Sequence, residues 1–582
     1  MRDKNILFLA IILMASLVLN LLGINWGVPD KAKINLVFKD KKTLGFLIPE
    51  MIKTREEVRE MATSYGTGYA PDYDDKQLIA VKTDGNDLVL SKGVLNAMRT
   101  FLLRTYYPDE HMVLVALSGM NLKEKDFNPH QFSYGGSYTY TVGFVFALSH
   151  LFHFAQAGKS AAYYFLNPDR LGVFYVIGRL VGVTATLFGI YLLFLLGKRY
   201  FNERIGLIAA SFYGFAPLIV IRNHYFSPYT FALFFVIATF FASLKLITKN
   251  DWKYYLSAGV TTGVAAGAIS FYGMSGILFV LAGLLYQMSN KGTPGIKRAV
   301  FIRILGAGLL AVGVFFITNP YLFVSWGEFI KEMQFGRQDF VFSPSLRIYL
   351  FGSLKTALGW LFLMSSLSGL LVAFAGNRKR GNLLLGLSFI ICVIFFSLFS
   401  PWYARRSIFL VPFFALLSGI FFDYLMGKPK FKTLGGFLLV LVLSYTFLYS
   451  LSYDKIFRQK NIRDEAGGWI NASLPEGDSV GLVQMPAPYR TPPFAFYRYK
   501  LIPVGLDRDL LKKKKPAYLI LSEYDLLGAK EETLDNFTAD YILLKKFEKP
   551  AQILGLKFNR TGFFPKDWWQ PNPYILVFKR KN

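Results

Sequence analysis

Residues 172–197 read GVFYVIGRLVGVTATLFGIYLLFLLG, and Lys198 and Arg199 follow directly. Arg179 is the only charged side chain in this run. A run of about 18 or more apolar residues with few charges is typical of a helix that crosses a bilayer. A basic pair at its end is typical of the cytoplasmic side of such a helix. The stretch therefore predicts a membrane-spanning helix whose C-terminal end lies in the cytoplasm.

Other segments of the chain have the same apolar character. The predicted spanning helices cover residues 6–24, 172–197, 205–222, 229–247, 254–271, 274–288, 299–318, 355–376, 382–400, 407–426 and 433–451. The predicted fold class is thus a polytopic α-helical membrane protein with about eleven transmembrane helices. The segment after 6–24 lacks a small-x-small cleavage site, so the first helix is expected to stay uncleaved.

The composition agrees with a membrane protein. Of the 582 residues, 53% are hydrophobic and 18% are charged, whereas soluble domains carry about 25% charged residues. The net charge of +27 does not predict a nucleic-acid partner, because excess Lys and Arg collects at cytoplasmic helix ends and against anionic headgroups. The single cysteine, Cys392, lies inside an apolar run, which excludes an intrachain disulfide and a cysteine metal site.

The connections between the predicted helices alternate in charge, which predicts their sidedness. One set is basic and contains Arg2/Lys4, Lys198/Arg199/Arg204, Lys245/Lys249/Lys253, Lys291/Lys297/Arg298, Arg378/Lys379/Arg380 and Lys428/Lys430/Lys432. The positive-inside rule assigns this set to the cytoplasm. The N-terminus is then cytoplasmic, and the C-terminal region lies outside the plasma or inner membrane.

The segment from Tyr138 to Phe154 is apolar but short for a crossing. If it crossed, every later basic loop would face outward. We therefore expect a juxtamembrane helix lying at the interface, which its terminal Tyr and His residues also suit.

Two domains are predicted. Residues 1–451 form a transmembrane domain that includes a long outer loop, 25–171, with its juxtamembrane helices. Residues 452–582 change composition, and strand-like runs at 479–484, 518–522 and 574–579 alternate with polar helical stretches. This pattern predicts a C-terminal extracytoplasmic α/β domain.

The outer loop contains an acidic pair, Asp109-Glu110, directly after Pro108. Pro followed by acidic residues and an apolar-periodic run is a helix-start signal, so a capped surface helix is one interpretation. The other is catalytic, with Asp109 as a general base that accepts a proton from a hydroxyl within hydrogen-bond reach.

Further candidates lie near the predicted outer ends of the helices. His130 follows Asn128-Pro129 and is either a proton carrier, a metal ligand or an ordinary interfacial group. Arginines at outer helix ends depart from the positive-inside rule and suit the phosphate of an anionic lipid. The outer loop 319–354 is either a lid or an inert connection. The remaining candidates are Arg222, His224, Tyr229, Asn319, Arg405 and Arg406.

In this layout the chain resembles the C-type glycosyltransferases of the protein O-mannosyltransferase and aminoarabinose-transferase type, which use polyprenyl-phosphate sugars. The similarity covers about residues 1–450 in order and sidedness. The points of resemblance are Pro108-Asp109-Glu110, Phe132-Ser133-Tyr134, Gly178-Arg179-Leu180, Gly197-Lys198-Arg199-Tyr200-Phe201, His224-Tyr225-Phe226-Ser227-Pro228 and Asn319-Pro320-Tyr321.

The resemblance implies sugar transfer from a lipid-linked phosphate to an acceptor on the outer side, with inversion. Asp109 matches the general base and Glu110 the acidic neighbour that supports it. Arg405 or Arg406, with Arg222 or His224, is expected to bind the leaving phosphate. His130, Tyr134, Tyr229 and Asn319 are candidate substrate-binding residues.

The chain departs from the family pattern at two positions. Tyr229 stands where many relatives carry an acidic residue, which leaves a divalent metal open. Ser133 and Tyr134 stand where others carry a lysine. The main alternative function is a polytopic lipid or glycolipid transporter or flippase, and a catalytically silent scaffold is a third. The sugar, the acceptor, the donor chain length and the role of the 30–92 insertion are not predicted.

Overall fold

The chain is mostly helical in the computed structural model, which describes residues 2–65, 77–83, 87–121, 123–158, 160–337, 340–375, 380–527, 531–558, 564–565 and 567–581. The α-helices are α1 (Arg2–Leu21), α2 (Ala32–Phe38), α3 (Lys41–Tyr65), α4 (Lys92–Leu103), α5 (His111–Gly119), α6 (Gly136–Leu151), α7 (Ala161–Leu166), α8 (Pro168–Tyr200), α9 (Glu203–Phe215), α10 (Pro217–Asn223), α11 (Tyr229–Leu246), α12 (Trp252–Ala268), α13 (Ile277–Ser289), α14 (Ile296–Thr318), α15 (Trp326–Arg337), α16 (Leu346–Ile348), α17 (Lys355–Leu358), α18 (Trp360–Ala375), α19 (Arg380–Ser397), α20 (Ala404–Ser407), α21 (Val411–Met426), α22 (Lys432–Arg458), α23 (Ile462–Ser473), α24 (Arg508–Lys514) and α25 (Glu531–Phe537).

The strands form small hairpins and one larger sheet. They are β1 (Leu78–Val81), β2 (Leu88–Ser91), β3 (Val341–Phe342), β4 (Phe399–Ser400), β5 (Ser479–Leu482), β6 (Lys500–Pro503), β7 (Tyr518–Ser522), β8 (Tyr541–Phe547), β9 (Gln552–Ile553), β10 (Leu556–Lys557) and β11 (Ile575–Arg580). The larger sheet has the order β6-β5-β7-β11-β8. β5 is parallel to both of its neighbours, and β11 is antiparallel to β7 and β8. All three strand-like runs predicted after residue 452 are strands of this sheet.

Eight helices of the described residues are long and apolar enough to cross a membrane, or up to ten if each bent pair is one span. The two bent pairs are α9 with α10, at 49°, and the Leu346–Leu358 segment with α18, at 117°. Every predicted span overlaps one or two of the helices, although their ends differ from the predicted bounds. The predicted span 254–271 is α12, whose 17 residues reach about 26 Å, slightly less than a typical hydrocarbon core. Eleven crossings therefore stay a prediction. Arg378 and Lys379 of one basic loop lie outside the described residues.

The outer loop contains α2 to α7 and the β1–β2 hairpin. The predicted juxtamembrane helix is present as α6, whose exposed side chains include Phe144 and Leu148. The 30–92 insertion forms α2, α3 and the hairpin, apart from residues 66–76 and 84–86, which are not described. Whether α6 lies at the membrane interface stays a prediction.

The outer loop and the C-terminal region share one hydrophobic core. Val37 and Phe38 of α2 and Phe101 of α4 belong to the same cluster as Ile470 of α23 and Val577 of β11. α22 also continues past the predicted boundary at 451, to Arg458. The region after residue 452 is thus packed directly on the loop that carries the acidic pair, and this packing positions the candidate site.

Candidate active site

Asp109 lies where three parts of the chain meet. Its Oδ2 atom accepts hydrogen bonds from the Tyr107 hydroxyl at 3.3 Å and from Arg405 Nη1 at 3.2 Å. The Asp109 side chain is 31% exposed and that of Arg405 is 17% exposed. A carboxylate that is fixed on one side and open on the other is able to accept a proton from an entering hydroxyl.

Tyr107 connects Asp109 to Arg222. Arg222 Nη1 donates to the Tyr107 hydroxyl at 3.0 Å, and the Tyr107 ring stacks on Tyr225 with centroids 4.3 Å apart. Burial raises the pKa of the Tyr107 phenol. The phenol is therefore neutral at physiological pH, and its hydroxyl donates a hydrogen bond to Asp109. No role was predicted for Tyr107, because a tyrosine before Pro108 carries no signal of its own.

Asp567, from the C-terminal region, completes the group. Its Oδ1 atom accepts from the Ala404 N–H at 2.8 Å, and its Oδ2 atom accepts from the Arg405 N–H at 3.0 Å. Arg222 Nη2 also donates to Oδ2. Asp567 was not predicted, although an acid directly before two tryptophans is an unusual pattern for a surface residue. We call Tyr107, Asp109, Arg222, Arg405 and Asp567 the Asp109 cluster.

Glu110 points away from Asp109 and is fully buried. Its carboxylate forms two hydrogen bonds with Arg179, at 2.8 and 2.9 Å, and accepts from the Phe226 N–H. Although Glu110 stands at the start of α5, its side chain makes no capping bond to that helix. The capped-helix interpretation of the acidic pair is therefore wrong for Glu110, because the buried arginine competes successfully for its carboxylate.

Arg179 also binds the segment that follows α1. Its Nη1 atom donates to the carbonyls of Ile24 and Trp26, at 2.6 and 2.8 Å. Both partners of the pair have no exposed side-chain surface. The Glu110–Arg179 pair thus fastens the acidic loop to α8 and to the end of the first helix, and its buried position points to a structural role.

Two of the predicted phosphate-binding residues, Arg406 and His224, lie outside the Asp109 cluster. Arg406 Nη1 donates to the Pro401 carbonyl at 3.0 Å, and its guanidinium lies 3.9 Å from the Phe340 ring centroid. Both ring nitrogens of the buried His224 lie within 2.9 Å of backbone carbonyls, and its ring stacks on Phe457. These contacts favour a structural role for His224.

Tyr134 and Tyr229 lie next to the Asp109 cluster. Burial, and after it the nearby charge of Asp109, raises the pKa of the Tyr134 phenol. Within the described residues the Tyr134 hydroxyl has no hydrogen-bond partner. The Arg222 guanidinium lies 5.8 Å from the Tyr229 ring centroid. A role of these two tyrosines in substrate binding stays a prediction.

His130 and Asn319 hold the preceding loop in place instead. His130 Nδ1 lies 3.0 Å from Glu328 Oε2, and Asn319 Oδ1 accepts from the Gly136 N–H at 2.7 Å. A Cβ at Gly135 or Gly136 would lie about 2 Å from a backbone oxygen. This glycine pair is therefore required by close packing on neighbouring helices.

Glu332 of α15 contacts the same loop, and its pKa predicts that the stability of the fold depends on pH. It accepts from the Phe132 N–H at 2.5 Å, and burial raises its pKa to about 8, above the ordinary value of about 4.3. The folded state therefore holds the proton more tightly than the unfolded state. Its contribution to stability is complete below about pH 4.3 and is lost as the pH rises through 8.

Replacing Glu332 by glutamine is expected to remove this dependence, because the amide mimics the protonated acid. In melting curves between pH 5 and pH 9, Glu332→Gln should gain stability relative to the wild type as the pH rises towards 8, by about 1.4 kcal/mol for each pH unit. Glu124→Gln, at an exposed glutamate of the 25–171 loop, is the control. Parallel profiles of wild type and Glu332→Gln would contradict the assignment.

No metal site is built into the described ranges: no three His, Cys, Asp or Glu side chains there are grouped to hold an ion. Asp109 and Asp567 each pair with an arginine. A carboxylate paired with a guanidinium is a poor ligand for a dication, so the Asp109 cluster does not fit a metal.

Residues 172–319 match the family model described as dolichyl-phosphate-mannose-protein mannosyltransferase. This segment contains Arg179, Arg222, His224 and Asn319. The match confirms the predicted resemblance to C-type glycosyltransferases, and the chain is a multi-pass membrane protein. No curated protein sequence matches the chain significantly.

Solved structures of two glycosyltransferases resemble the fold distantly. The structure of ArnT from Cupriavidus metallidurans bound to undecaprenyl phosphate aligns with a TM-score of 0.40 and 13% identity, covering 77% of this chain and 88% of that chain. The Archaeoglobus fulgidus oligosaccharyltransferase in the apo form aligns with a TM-score of 0.38 and 11% identity, covering 75% and 67%. Scores this low do not support residue-by-residue correspondences.

Proposed function

We propose that the chain transfers a sugar from a polyprenyl-phosphate donor to an acceptor hydroxyl on the outer side of the membrane. The observation that carries this proposal is the partly exposed Asp109 carboxylate, 3.2 Å from the guanidinium of Arg405. A base and a cation side by side suit a reaction that removes a proton from one substrate and leaves negative charge on another. The family match over residues 172–319 supports the same class of donor.

The proposed step is a displacement at the anomeric carbon. Asp109 takes the proton of the acceptor hydroxyl, and the acceptor oxygen forms a bond to the anomeric carbon. The bond from that carbon to the phosphate oxygen breaks, and its electron pair leaves with the polyprenyl phosphate. Attack from the face opposite the leaving group inverts the configuration.

Arg405 has two roles in this proposal. In the structure its guanidinium donates a hydrogen bond to Asp109 Oδ2. The donor phosphate attracts the same guanidinium when it enters, because Arg binds phosphate through parallel N–H groups. The Asp109 carboxylate is then free to accept a hydrogen bond from the acceptor hydroxyl on the side that the guanidinium leaves.

The proposed topology places this reaction at the outer leaflet. Eleven crossings put the N-terminus in the cytoplasm and the 452–582 region outside the plasma or inner membrane. The 1–451 and 452–582 regions together then present the Asp109 cluster to a donor whose lipid tail never leaves the bilayer. The acceptor, a hydroxyl of a protein, lipid or glycan, enters from the aqueous side.

A lipid or glycolipid flippase is the second candidate, and two bends favour it. α9 and α10 are bent by 49°, and the helix that ends at Leu358 is bent by 117° against α18. Broken helices are common in transporters. A flippase, however, moves its lipid intact, whereas a transferase releases free polyprenyl phosphate.

The deciding experiment measures the release of polyprenyl phosphate from a panel of polyprenyl-phosphate sugars by the purified protein in nanodiscs. Each donor is tested with peptide, glycolipid and glycan acceptors, and the glycosylated product is identified by mass spectrometry. We expect one donor to yield equal amounts of free polyprenyl phosphate and glycosylated acceptor. Transbilayer movement of intact donor in liposomes, without release of polyprenyl phosphate, would favour the flippase.

Arg405→Gln is expected to lower the kcat/KM for the donor by about 10²–10³-fold, because it removes the cation beside the leaving phosphate. Arg406→Gln is the matched comparison, since Arg406 lies next in sequence and its Nη1 donates to the Pro401 carbonyl. Its effect should be much smaller. Steady-state kinetics at varied donor concentration checks both, and equal losses in the two variants would contradict the assignment of Arg405.

A further inference from the structure

We infer that Asp567 is a positioning residue of the transfer site, through which the C-terminal region holds both arginines of the Asp109 cluster. This inference rests on the proposed function. One carboxylate receives the side chain of Arg222 and the backbone N–H groups of Ala404 and Arg405. Asp567 is 4% exposed, so it acts on substrates only through these partners.

Arg222 depends on Asp567 for its charge balance. Arg222 is 1% exposed, and a buried guanidinium is costly unless a counter-charge and hydrogen bonds compensate it. Asp567 is the carboxylate to which it is bonded. Held in this way, Arg222 donates to the Tyr107 hydroxyl, which in turn donates to Asp109. The line of contacts from Asp567 ends on the proposed base.

Arg405 depends on Asp567 for its backbone position. The Asp567 oxygens accept from the first N–H groups of α20, at 2.8 and 3.0 Å. Fixing these two groups fixes the direction in which the Arg405 side chain leaves the helix. That side chain then reaches the Asp109 carboxylate, which Tyr107 also contacts.

The flanking residues hold Asp567 firmly in the fold. Trp568 packs edge-on against Tyr453 of α22, with centroids 5.8 Å apart. Trp569 is fully buried and packs against Tyr524. The side-chain amide of Asn572 donates to the Lys549 carbonyl at 2.7 Å. These contacts join Asp567 to both the last spanning helix and the sheet region.

The charges explain why an acid is needed here. Arg222 and Arg405 are balanced by Asp109 and Asp567 before any substrate binds. Replacing Asp567 by asparagine leaves Arg222 without its counter-charge and loosens Arg405. The freed positive charge still attracts the donor phosphate, but the base and the cation no longer hold their geometry, and small misplacements of reacting groups are costly.

The test is the steady-state kinetics of Asp567→Asn in nanodiscs with the donor that the wild type uses. We expect kcat to fall by about 10–100-fold while the donor KM does not rise, a split that general loss of structure would not produce. Asp525→Asn is the matched control, because Asp525 is a half-buried acid of the same region that instead accepts from Ser522. Its kcat should equal that of the wild type.

The double variant Asp567→Asn/Arg222→Gln removes both buried charges. It provides a second measurement of the same effect if the single variant does not fold. Its kcat should be about equal to that of the worse of the two single variants, because both residues act on Asp109 through one line of contacts. A kcat within about 3-fold of wild type in the single or the double variant would overturn the inference alone. A wild type that releases polyprenyl phosphate from no donor would instead overturn the proposed function.

Discussion

Replacing Asp109 by asparagine is expected to abolish sugar transfer, with a fall in kcat of about 10²–10⁴-fold, the usual contribution of a general base. The amide keeps the size of the side chain. Its oxygen is still able to accept the hydrogen bonds from Tyr107 and Arg405, because both converge on one carboxylate oxygen of Asp109. It is not able to take the acceptor proton. Release of polyprenyl phosphate from the productive donor, measured in nanodiscs, gives the result directly.

The Asp109→Asn protein should nevertheless fold and bind donor. Its melting temperature should stay close to that of the wild type, since the side chain is 31% exposed. Asp87→Asn, which changes an exposed acid of the same outer loop, is the matched control and should retain full turnover. Equal turnover in wild type and Asp109→Asn would remove Asp109 as the base.

The second large effect concerns stability. Replacing Glu110 by glutamine leaves Arg179 buried without a counter-charge, because neither side chain has any exposed surface. Breaking a buried ion pair from one side costs about 3–5 kcal/mol. We expect a much lower melting temperature, poor yield of folded protein, and loss of activity in proportion to the loss of folded protein.

A double variant separates this structural role from a catalytic one. Glu110→Gln/Arg179→Gln removes both charges, and replacing a whole buried pair is often far less costly than breaking it. The double variant should therefore be more stable than Glu110→Gln alone. Glu124→Gln, at an exposed glutamate of the same loop, is the control. A Glu110→Gln protein with normal stability and no activity would indicate that Glu110 takes part in catalysis.

Most of the helices were accessible from sequence, because long apolar runs are typical of membrane-spanning helices. The acidic pair after Pro108 marked Asp109 and Glu110 as candidate site residues. The same pattern did not separate the two acids. Their different roles follow from which neighbour each carboxylate meets, Arg405 for Asp109 and Arg179 for Glu110, and these partners are distant in sequence.

The role of Asp567 could not be predicted from the sequence, for a related reason. Its partner Arg222 is 345 positions away, and no periodicity connects a residue of a sheet region with the end of a membrane helix. For His224 the sequence and the structure favour different roles. The motif around it matched the expected pattern, but both of its ring nitrogens lie against backbone carbonyls, which only the packed structure reveals.

The distance between Arg222 and Asp567 along the chain also sets an order of events during biosynthesis. At about 5–20 residues per second, the ribosome needs roughly 20–70 s to add the 345 residues that separate them. Throughout that interval Arg222 is already made while its carboxylate partner is not. Strand β11, which pairs with β7 and β8 inside the sheet, is made later still. The site proposed here is therefore incomplete until Asp567 and the sheet region around it have folded, so a nascent chain already inserted in the bilayer is inert until then.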